Sequence, residues 1–297
     1  MTDTTAKGKP RPALFRALGK NEPPTEITAD GQRYVQVKIL KHDSWAATGL
    51  YAGDDEAGNP GAGQKIIAKF NRQQSIFGFP MKWLGLILAS GEHTIMKAMA
   101  DEPTIAHSFD VIEVEGKQVH HVAAHKYIDG HPLTPNDRVT DEFFPTLKAV
   151  LEKLHSRGIA YVDMNKAENV IVGDDGLPHL IDYQISFMLP KWWPGNWFGT
   201  RVLLWVLQQS DMYHLMKHWI RYRPDQLPED QRDINKHRPI WIRGWRCLAT
   251  PFRETRRRLL VLVGIRKGKG KSVTEHAPED AVQRQMNQTN TSENTSA

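Results

Sequence analysis

The segment 154–187 contains two carboxylates, Asp163 and Asp182, with the amide of Asn169 between them. Phosphoryl transfer uses such a set: one Asp accepts the proton of the attacking hydroxyl, while an Asn and a second Asp hold the divalent metal that bridges the phosphates. Magnesium prefers hard oxygen ligands and typically needs only one or two carboxylates beside the nucleotide's phosphates. The residue types therefore favour Asp163 as a catalytic base and Asn169 and Asp182 as magnesium ligands, with Lys166 neutralising charge on the transferred group.

The elements that must position these side chains are indicated within the same segment. An apolar run ends in a basic turn and a glycine, as helices commonly end. Residues 159–162 are β-prone and lead into the polar loop that carries Asp163. Two apolar runs, 169–172 and 177–181, are joined by the sequence GDDG, which predicts a hairpin ending on Asp182. Each Asp alone is more simply explained as a turn or strand-end residue, because Asp is common in turns. The occurrence of the helix end, the Asp163 loop and the hairpin in this order instead favours a catalytic and metal-binding site.

The segment resembles the catalytic and metal-binding loops of the protein-kinase-like superfamily, which read HRDxxxxN and DFG in protein kinases. It is similar in particular to the bacterial branch related to RIO-type and lipopolysaccharide (Kdo/WaaP-type) kinases. Two dipeptides depart from the protein-kinase pattern, since Tyr161-Val162 replaces His-Arg and Tyr183-Gln184 replaces Phe-Gly. The resemblance extends over residues 34–224 and implies an α+β, two-lobed kinase-like fold that binds ATP and Mg²⁺ in its cleft.

The catalytic loop is longer than in protein kinases, because Asn169 follows Asp163 by six positions (169 − 163), one more than in HRDxxxxN. The extra residue leaves either Asn165 or Lys166 at the position of the loop lysine, and charge favours Lys166. The Ala-Pro-Glu sequence that follows Asp182, at Ala277-Pro278-Glu279, lies 95 positions further on (277 − 182), in the predicted tail and not at the end of an activation segment. A protein-kinase peptide platform is therefore not expected.

Lys69 ends an IIAK sequence that resembles the VAIK motif, whose lysine grips the α- and β-phosphates and pairs with a helix glutamate. Glu92 is the expected partner, in a segment whose apolar residues recur at helical spacing. The alternative is a solvated lysine at a sheet edge. The resemblance favours the nucleotide role.

The resemblance places a glycine-rich phosphate loop at 41–49, between the first two of three predicted strands. Those strands are expected at 34–40, 50–52 and 65–70. The loop segment contains one glycine, whereas several glycines would let backbone amides approach phosphate closely. The hydroxyls of Ser44 and Thr48 are expected to contact the phosphates in their place.

A hairpin is predicted at 109–114 and 118–122, and the KYIDG sequence that follows it resembles the family's interlobe hinge. In the family the adenine base bonds to backbone groups there, which the resemblance places on Lys126 and Ile128. A helix over 141–155 is predicted to bury one face beneath the catalytic loop.

Composition is ordinary for a soluble globular chain of 297 residues, with 40% hydrophobic and 25% charged residues. Cys247 is the single cysteine, so no internal disulfide forms and a reducing cytosol is favoured. The N-terminal sequence lacks the apolar core of a signal peptide, and no apolar run approaches the ~20 residues that cross a bilayer. A cytoplasmic location is expected, with peripheral contact at the inner face of the cell membrane.

Tryptophans and basic residues are concentrated after Asp182, and the whole chain carries a net charge of +5. Three interpretations remain open. Arg and Trp together could bind nucleic acid by phosphate contact and stacking, or an anionic membrane, at about 1 kcal/mol per basic residue. They could also be a helical lobe with a solvated charged face. The cation-flanked apolar run 256–267 favours the membrane over nucleic acid. The apolar segment 75–88 is interpreted as a helix packed on the small lobe, or alternatively as a lipid-facing patch.

The chain is thus divided into four predicted parts: a flexible arm at 1–30, a nucleotide-binding β-rich lobe at 31–129, a mainly helical catalytic lobe at 130–271 and a disordered tail at 272–297. The expected reaction transfers the ATP γ-phosphate to a hydroxyl. A lipid-linked sugar, such as a lipopolysaccharide core, is favoured over a protein Ser or Thr as the acceptor. The alternatives are a pseudokinase-like binding module and an RNA-associated kinase.

Overall fold

The computed structural model describes residues 12–55, 58–59, 61–134, 137–195, 197–234 and 236–237. The predicted tail at 272–297, the apolar run at 256–267 and the first residues of the predicted arm lie outside the described residues. What is described forms two lobes, one built on an antiparallel sheet and one mainly helical.

The small lobe is a seven-stranded antiparallel sheet with the strand order β6-β5-β1-β2-β3-β4-β7. Its strands are β1 (Glu26–Ala29), β2 (Gln32–His42), β3 (Ala46–Gly53), β4 (Lys65–Asn71), β5 (Ile112–Val114), β6 (Lys117–Gln118) and β7 (Val122–Lys126). The predicted strands at 34–40, 50–52 and 65–70 are confirmed, and the second is longer than expected. The hairpin predicted after residue 109 is formed by β5 and β6, and β7 follows it.

Strand β1 corrects the prediction of a flexible arm over residues 1–30. Glu26–Ala29 pairs with β2 on one side and with β5 on the other. Ile27 and Ala29 are buried in the sheet core, which requires this segment to be ordered. A short 3₁₀ turn, Ala13–Phe15, also lies within the predicted arm.

Helix α1 (Lys82–Ala98) crosses the sheet and buries Glu92, Ile95 and Met96. Gly85 permits the close approach, because a Cβ there would lie 2.2 Å from the carbonyl oxygen of Arg72. The apolar segment 75–88 becomes helical only from Lys82 onward, and several of its large side chains are exposed. These are Phe77, Phe79, Trp83, Leu86 and Ile87. The interpretation as a helix packed on the small lobe is therefore confirmed from Lys82 onward, and the lipid-facing patch stays a prediction.

The large lobe surrounds the catalytic segment with two helices and two small sheets. Its elements are β8 (Gly130–Pro132), α2 (Phe143–Ser156), β9 (Ile159–Ala160), β10 (Val170–Gly173), β11 (Pro178–Leu180), β12 (Phe187–Met188) and α3 (Phe198–Tyr222), with 3₁₀ turns at Ala167–Asn169, Pro224–Gln226 and Glu229–Gln231. The sheet orders are β11-β10-β8 and β12-β9. Helix α2 buries Phe143, Leu147 and Leu154 in the main core, as its periodicity predicted.

This pairing of an antiparallel sheet lobe with a mainly helical lobe confirms the predicted α+β, two-lobed fold class. It brings the end of β4, the middle of α1 and the two carboxylate-bearing loops towards one cleft. Among the described residues, no helix is both long and apolar enough to cross a membrane.

Candidate active site

Lys69 joins the two lobes at the centre of the cleft. It lies on β4, opposite Thr48 of β3 and Ala123 of β7. Its Nζ is 2.8 Å from Glu92 Oε1 on α1 and 2.9 Å from Asp182 Oδ1 at the end of the β10–β11 hairpin. One ammonium thus contacts carboxylates from two different lobes, and the predicted Lys69–Glu92 pair is present.

Burial and charge determine the protonation of this cluster. Burial would raise the pKa of the Asp182 carboxyl, but the Lys69 ammonium outweighs it and lowers that pKa to about 2. Burial alone would lower the pKa of Lys69, yet Asp182 and Glu92 raise it. Glu92 is 1% exposed, and burial raises its pKa despite the lysine. At neutral pH Lys69 is therefore a fixed cation and Asp182 a fixed anion, as anchoring phosphate and ligating a metal both require.

Asp163 is held by two donors from its own loop. Lys166 Nζ lies 2.6 Å from Asp163 Oδ2, and Asn169 Nδ2 donates to the same oxygen at 2.9 Å. Burial opposes the charge on Lys166, but the hydrogen bond to Asp163 raises its pKa. Asn165, the rival for the loop-lysine position, is exposed as Lys166 is, and it accepts a hydrogen bond from Lys217 at 2.8 Å. The geometry thus groups Asp163, Lys166 and Asn169, as the sequence predicted.

Asp211 is a buried carboxylate beside the loop that carries Asp163, and the sequence analysis missed it. It is fully buried on α3 and accepts hydrogen bonds from the backbone amides of Tyr161, at 2.7 Å, and Val162, at 2.8 Å. His155 Nε2 lies 3.1 Å from the same carboxylate. Val162 has a φ of 70°, a conformation that a β-branched side chain rarely adopts. Asp211 therefore fixes the backbone turn that presents Asp163.

Tyr161 connects the catalytic loop to the loop that carries Asp182. Its hydroxyl donates to the Ile181 carbonyl, one residue before Asp182, and its own carbonyl accepts from Ser186 Oγ at 2.9 Å. The Tyr161 and Tyr183 rings pack edge to face, with their centroids 5.4 Å apart. Both departures from the HRD and DFG patterns thus place a tyrosine in the contact between the two loops.

The turn at residues 43–45, between β2 and β3, occupies the place of the glycine-rich loop. Asp43 Oδ1 accepts from the amides of Trp45, at 2.7 Å, and Ala46, at 2.9 Å, so the turn is tight. The Ser44 hydroxyl donates to the Phe15 carbonyl at 2.8 Å, and Thr48 is buried within β3. Contact of Ser44 or Thr48 with phosphate stays a prediction.

The predicted hinge residues follow the edge strand of the small sheet. Lys126, the last residue of β7, donates its amide to the His107 carbonyl at 2.9 Å. Ile128 is buried and packs with Ile171 of β10 and with Ile181, which precedes Asp182. This cluster connects the hinge to the hairpin that carries Asp182.

The oxygen donors in the cleft fit a magnesium ion that is also bound by nucleotide. Across the described part of the chain, no group of three or more His, Cys, Asp and Glu residues could hold a metal alone. Magnesium commonly uses one or two carboxylates and completes its coordination with phosphates and water. Asp182, kept ionised by Lys69, and the side-chain oxygen of Asn169 match that requirement.

Comparison with known proteins found similarity only among solved structures. No family model matches the chain, and no curated protein matches it. The Rio2 kinase from Chaetomium thermophilum aligns at 15% identity over 67% of this chain and 62% of that chain, with a TM-score of 0.44. The ADP/Mg²⁺-phosphoaspartate complex of that kinase aligns at 14% identity over 85% and 71%, with a TM-score of 0.43. At these values neither similarity bears on the activity of this chain.

Proposed function

We propose that this protein is an ATP-dependent kinase that transfers the γ-phosphate to a hydroxyl group. The observation that carries the proposal is the contact of Lys69 with Glu92 and Asp182 together, beside an Asp163 that is bonded to Lys166 and Asn169. A cation between two lobes, with a second carboxylate in the adjoining loop, meets the needs of phosphoryl transfer, in which positioning and charge stabilisation supply most of the catalysis.

Each residue has a role that follows from its charge and contacts. Lys69, held by Glu92, binds the α- and β-phosphates. Asp182 and Asn169 hold Mg²⁺, which when bound offsets charge on the phosphates. Asp163 orients the acceptor hydroxyl and takes its proton, because it is the carboxylate with no contact to Lys69 among the bonds described for it. Lys166 stands beside that carboxylate and offsets charge on the transferred group.

The adenine base binds where the two lobes meet. The Lys126 amide already donates to the His107 carbonyl, so the proposed contacts with the base are the Lys126 carbonyl and the backbone of Ile128, a residue that packs with Ile171 and Ile181. Nucleotide binding therefore uses β4, α1, β7 and the β10–β11 hairpin together.

The acceptor is a hydroxyl on a lipid-linked sugar rather than on a protein side chain. Two observations support this choice. The Ala-Pro-Glu sequence after Asp182 is 95 positions away (277 − 182), in the predicted tail, too far to close a peptide platform beside the metal loop. The segment after Asp182 carries exposed tryptophans and no acidic residue before Asp211. A surface of that kind suits a membrane interface better than a polar peptide.

Magnesium-dependent ATP turnover tests the proposal directly. Wild type, Asp163→Ala and Asp182→Ala are compared with an acceptor fraction prepared from cell envelope. Both substitutions are expected to lower turnover by about 10³-fold, because each removes a charge that acts in the transition state. The matched control is Asp174→Ala, an exposed carboxylate in the turn of the same hairpin, which is expected to keep wild-type turnover. Equal turnover in all four proteins would exclude an enzyme that works through these residues.

A nucleotide-binding module without catalysis is the second candidate, and the 43–45 turn favours it. The Ser44 hydroxyl already donates to the Phe15 carbonyl. The turn therefore offers the phosphates neither this hydroxyl nor the close backbone amides of a glycine-rich loop. Titration with ATP and Mg²⁺ separates the two functions. A binding module binds nucleotide, loses that binding in Lys69→Met, and shows no turnover with any acceptor.

A further inference from the structure

The loop before α3 and the first turns of that helix expose an unusual number of large apolar side chains. We name this surface the aromatic face. Its members are Trp192, Trp193, Trp197, Phe198, Leu203 and Trp205. Trp192 is 73% exposed and Phe198 79% exposed, although residues of this size are usually buried where they can be.

Helix α3 changes character along its length. From Asp211 onward it buries Asp211, Tyr213, Leu215 and His218 against the large-lobe core. In its first turns Leu204 is the buried residue, while apolar side chains point outward on the other sides. A helix that is apolar on all sides is normally covered by protein or lipid. The first part of α3 is therefore expected to be a binding surface that protein or lipid covers.

The charge around the aromatic face indicates the sign of that partner. Residues 183–210 contain no Asp or Glu, whereas Lys191 and Arg201 are both exposed beside the tryptophans. The chain as a whole is basic, with a net charge of +5. Two copies of this surface would repel each other through those cations, so self-association is disfavoured and an anionic partner is favoured.

We propose that the aromatic face docks the protein on an anionic lipid bilayer and so delivers a lipid-linked acceptor to the cleft. Tryptophan prefers the boundary between headgroups and acyl chains, and flanking cations add attraction to anionic lipid. Aliphatic residues such as Leu203 gain from contact with acyl chains but do not stack on bases, which separates a bilayer from RNA. The delivery step rests on the proposed function, whereas the docking itself does not.

The position of the face fits delivery to Asp163. Phe198 and Asp211 lie on one helix, 13 residues apart (211 − 198), or about 20 Å along its axis. Asp211 holds the backbone of the catalytic loop. The contact that anchors the catalytic loop therefore lies about 20 Å along α3 from the first docking residue of the helix, so one rigid element connects the aromatic face to the loop that carries Asp163.

Vesicle flotation with the full chain tests the docking. Wild type is expected to float with vesicles of phosphatidylglycerol and phosphatidylcholine and to stay behind with phosphatidylcholine alone. Trp192→Ser/Phe198→Ser and Lys191→Glu/Arg201→Glu are each expected to reduce flotation by about tenfold or more. The matched control is Phe77→Ser/Phe79→Ser, which removes two equally exposed rings from the small lobe and is expected to float as wild type does.

Several outcomes would overturn the docking proposal. Loss of flotation in Phe77→Ser/Phe79→Ser instead would assign the membrane to the small lobe. A melting temperature more than about 5 °C lower in Trp192→Ser/Phe198→Ser would show that the chain itself covers the face. Self-association, or RNA binding in a shift assay, that the same double substitution abolishes would assign the face to a second copy or to RNA.

The two proposals fail independently. Turnover with a soluble acceptor sugar depends on Asp163 and Asp182 and is expected to be unchanged in Trp192→Ser/Phe198→Ser. Turnover with the same acceptor embedded in anionic vesicles is expected to fall in that variant. Flotation without any turnover would support the docking proposal and contradict the proposed kinase activity. Turnover without flotation would support the kinase activity and contradict the docking.

Discussion

The two sides of the cleft differ in how closely their residues match those that phosphoryl transfer requires. On the large-lobe side, Asp163, Asn169 and Asp182 are fixed by hydrogen bonds, by the Lys69 ion pair and by a backbone turn bonded to Asp211. On the small-lobe side, the 43–45 turn contains no glycine and is held by Asp43. The side chains proposed to contact the transferred phosphoryl group and its metal are therefore held in place by several bonds. The turn proposed to lie over the phosphates has no glycine whose backbone amide could approach them closely. This difference implies that affinity for nucleotide rests on Lys69 and the metal more than on backbone amides.

Of the substitutions Lys69→Met, Asp211→Asn, Val162→Gly and Ser44→Ala, the first should have the largest effect, because Lys69 serves both sides. Lys69→Met leaves the buried Glu92 and the Asp182 carboxylate without a partner, so phosphate binding and the position of Asp182 both suffer. Turnover at saturating Mg²⁺ is expected to fall by about 10²–10³-fold, with a higher KM for ATP.

The control for that variant is Lys97→Met, which removes an exposed lysine of α1 that pairs with Asp110 on the surface. Steady-state kinetics of both proteins decide the outcome. A similar loss in the two would show that α1, rather than the cation in the cleft, determines activity.

Asp211→Asn should sharpen the comparison on the large-lobe side. The amide replaces an anionic acceptor for the Tyr161 and Val162 amides, so the free energy of unfolding is expected to fall by about 2–3 kcal/mol. Turnover is expected to fall as well, because the strained turn at Val162 no longer holds Asp163 in place. Urea unfolding and turnover at a temperature where the variant is folded measure the two effects separately.

Val162→Gly provides the second half of that experiment. Glycine adopts positive φ without the cost of about 1–3 kcal/mol that a valine incurs there. In the Asp211→Asn background it is expected to recover stability without recovering turnover. Recovery of both would mean that Asp211 acts on stability alone.

The smallest effect is expected at Ser44, on the small-lobe side. Its hydroxyl is bonded to Phe15, so Ser44→Ala should lower the free energy of unfolding by about 1 kcal/mol and change the KM for ATP by less than about twofold. A larger rise in KM at unchanged stability would show that the hydroxyl turns to phosphate on binding. The small-lobe side would then contribute more to nucleotide binding than the bond from Ser44 to Phe15 indicates.

The site residues that the sequence indicated share a local signal. Asp163, Asn169 and Asp182 lie in one short segment, and Lys69 lies in a strand whose apolar pattern is plain. Their grouping could be predicted because turn residues and strand periodicity fix both the order of the elements and their ends.

Asp211 was missed because its partners lie far away in the sequence, at Tyr161 and Val162. The signal that could have found it is a carboxylate inside a helix after a long stretch without acidic residues. Strand β1 was missed for a related reason, since Glu26–Ala29 is short and becomes a strand through pairing with β2 and β5. Composition also grouped the tryptophans after Asp182 together, whereas Trp219 stacks on Phe144 in the core and Trp192 faces solvent.

The bond from the Tyr161 hydroxyl to the Ile181 carbonyl has a consequence for control. It ties the loop that carries Asp163 to the loop that carries Asp182, so an outward movement of the backbone before Asp182 would have to break that bond. A protein assembled in this way would be competent as soon as it folds. The rate of its reaction would then depend on its location and on the concentration of acceptor, and not on a conformational change between inactive and active states.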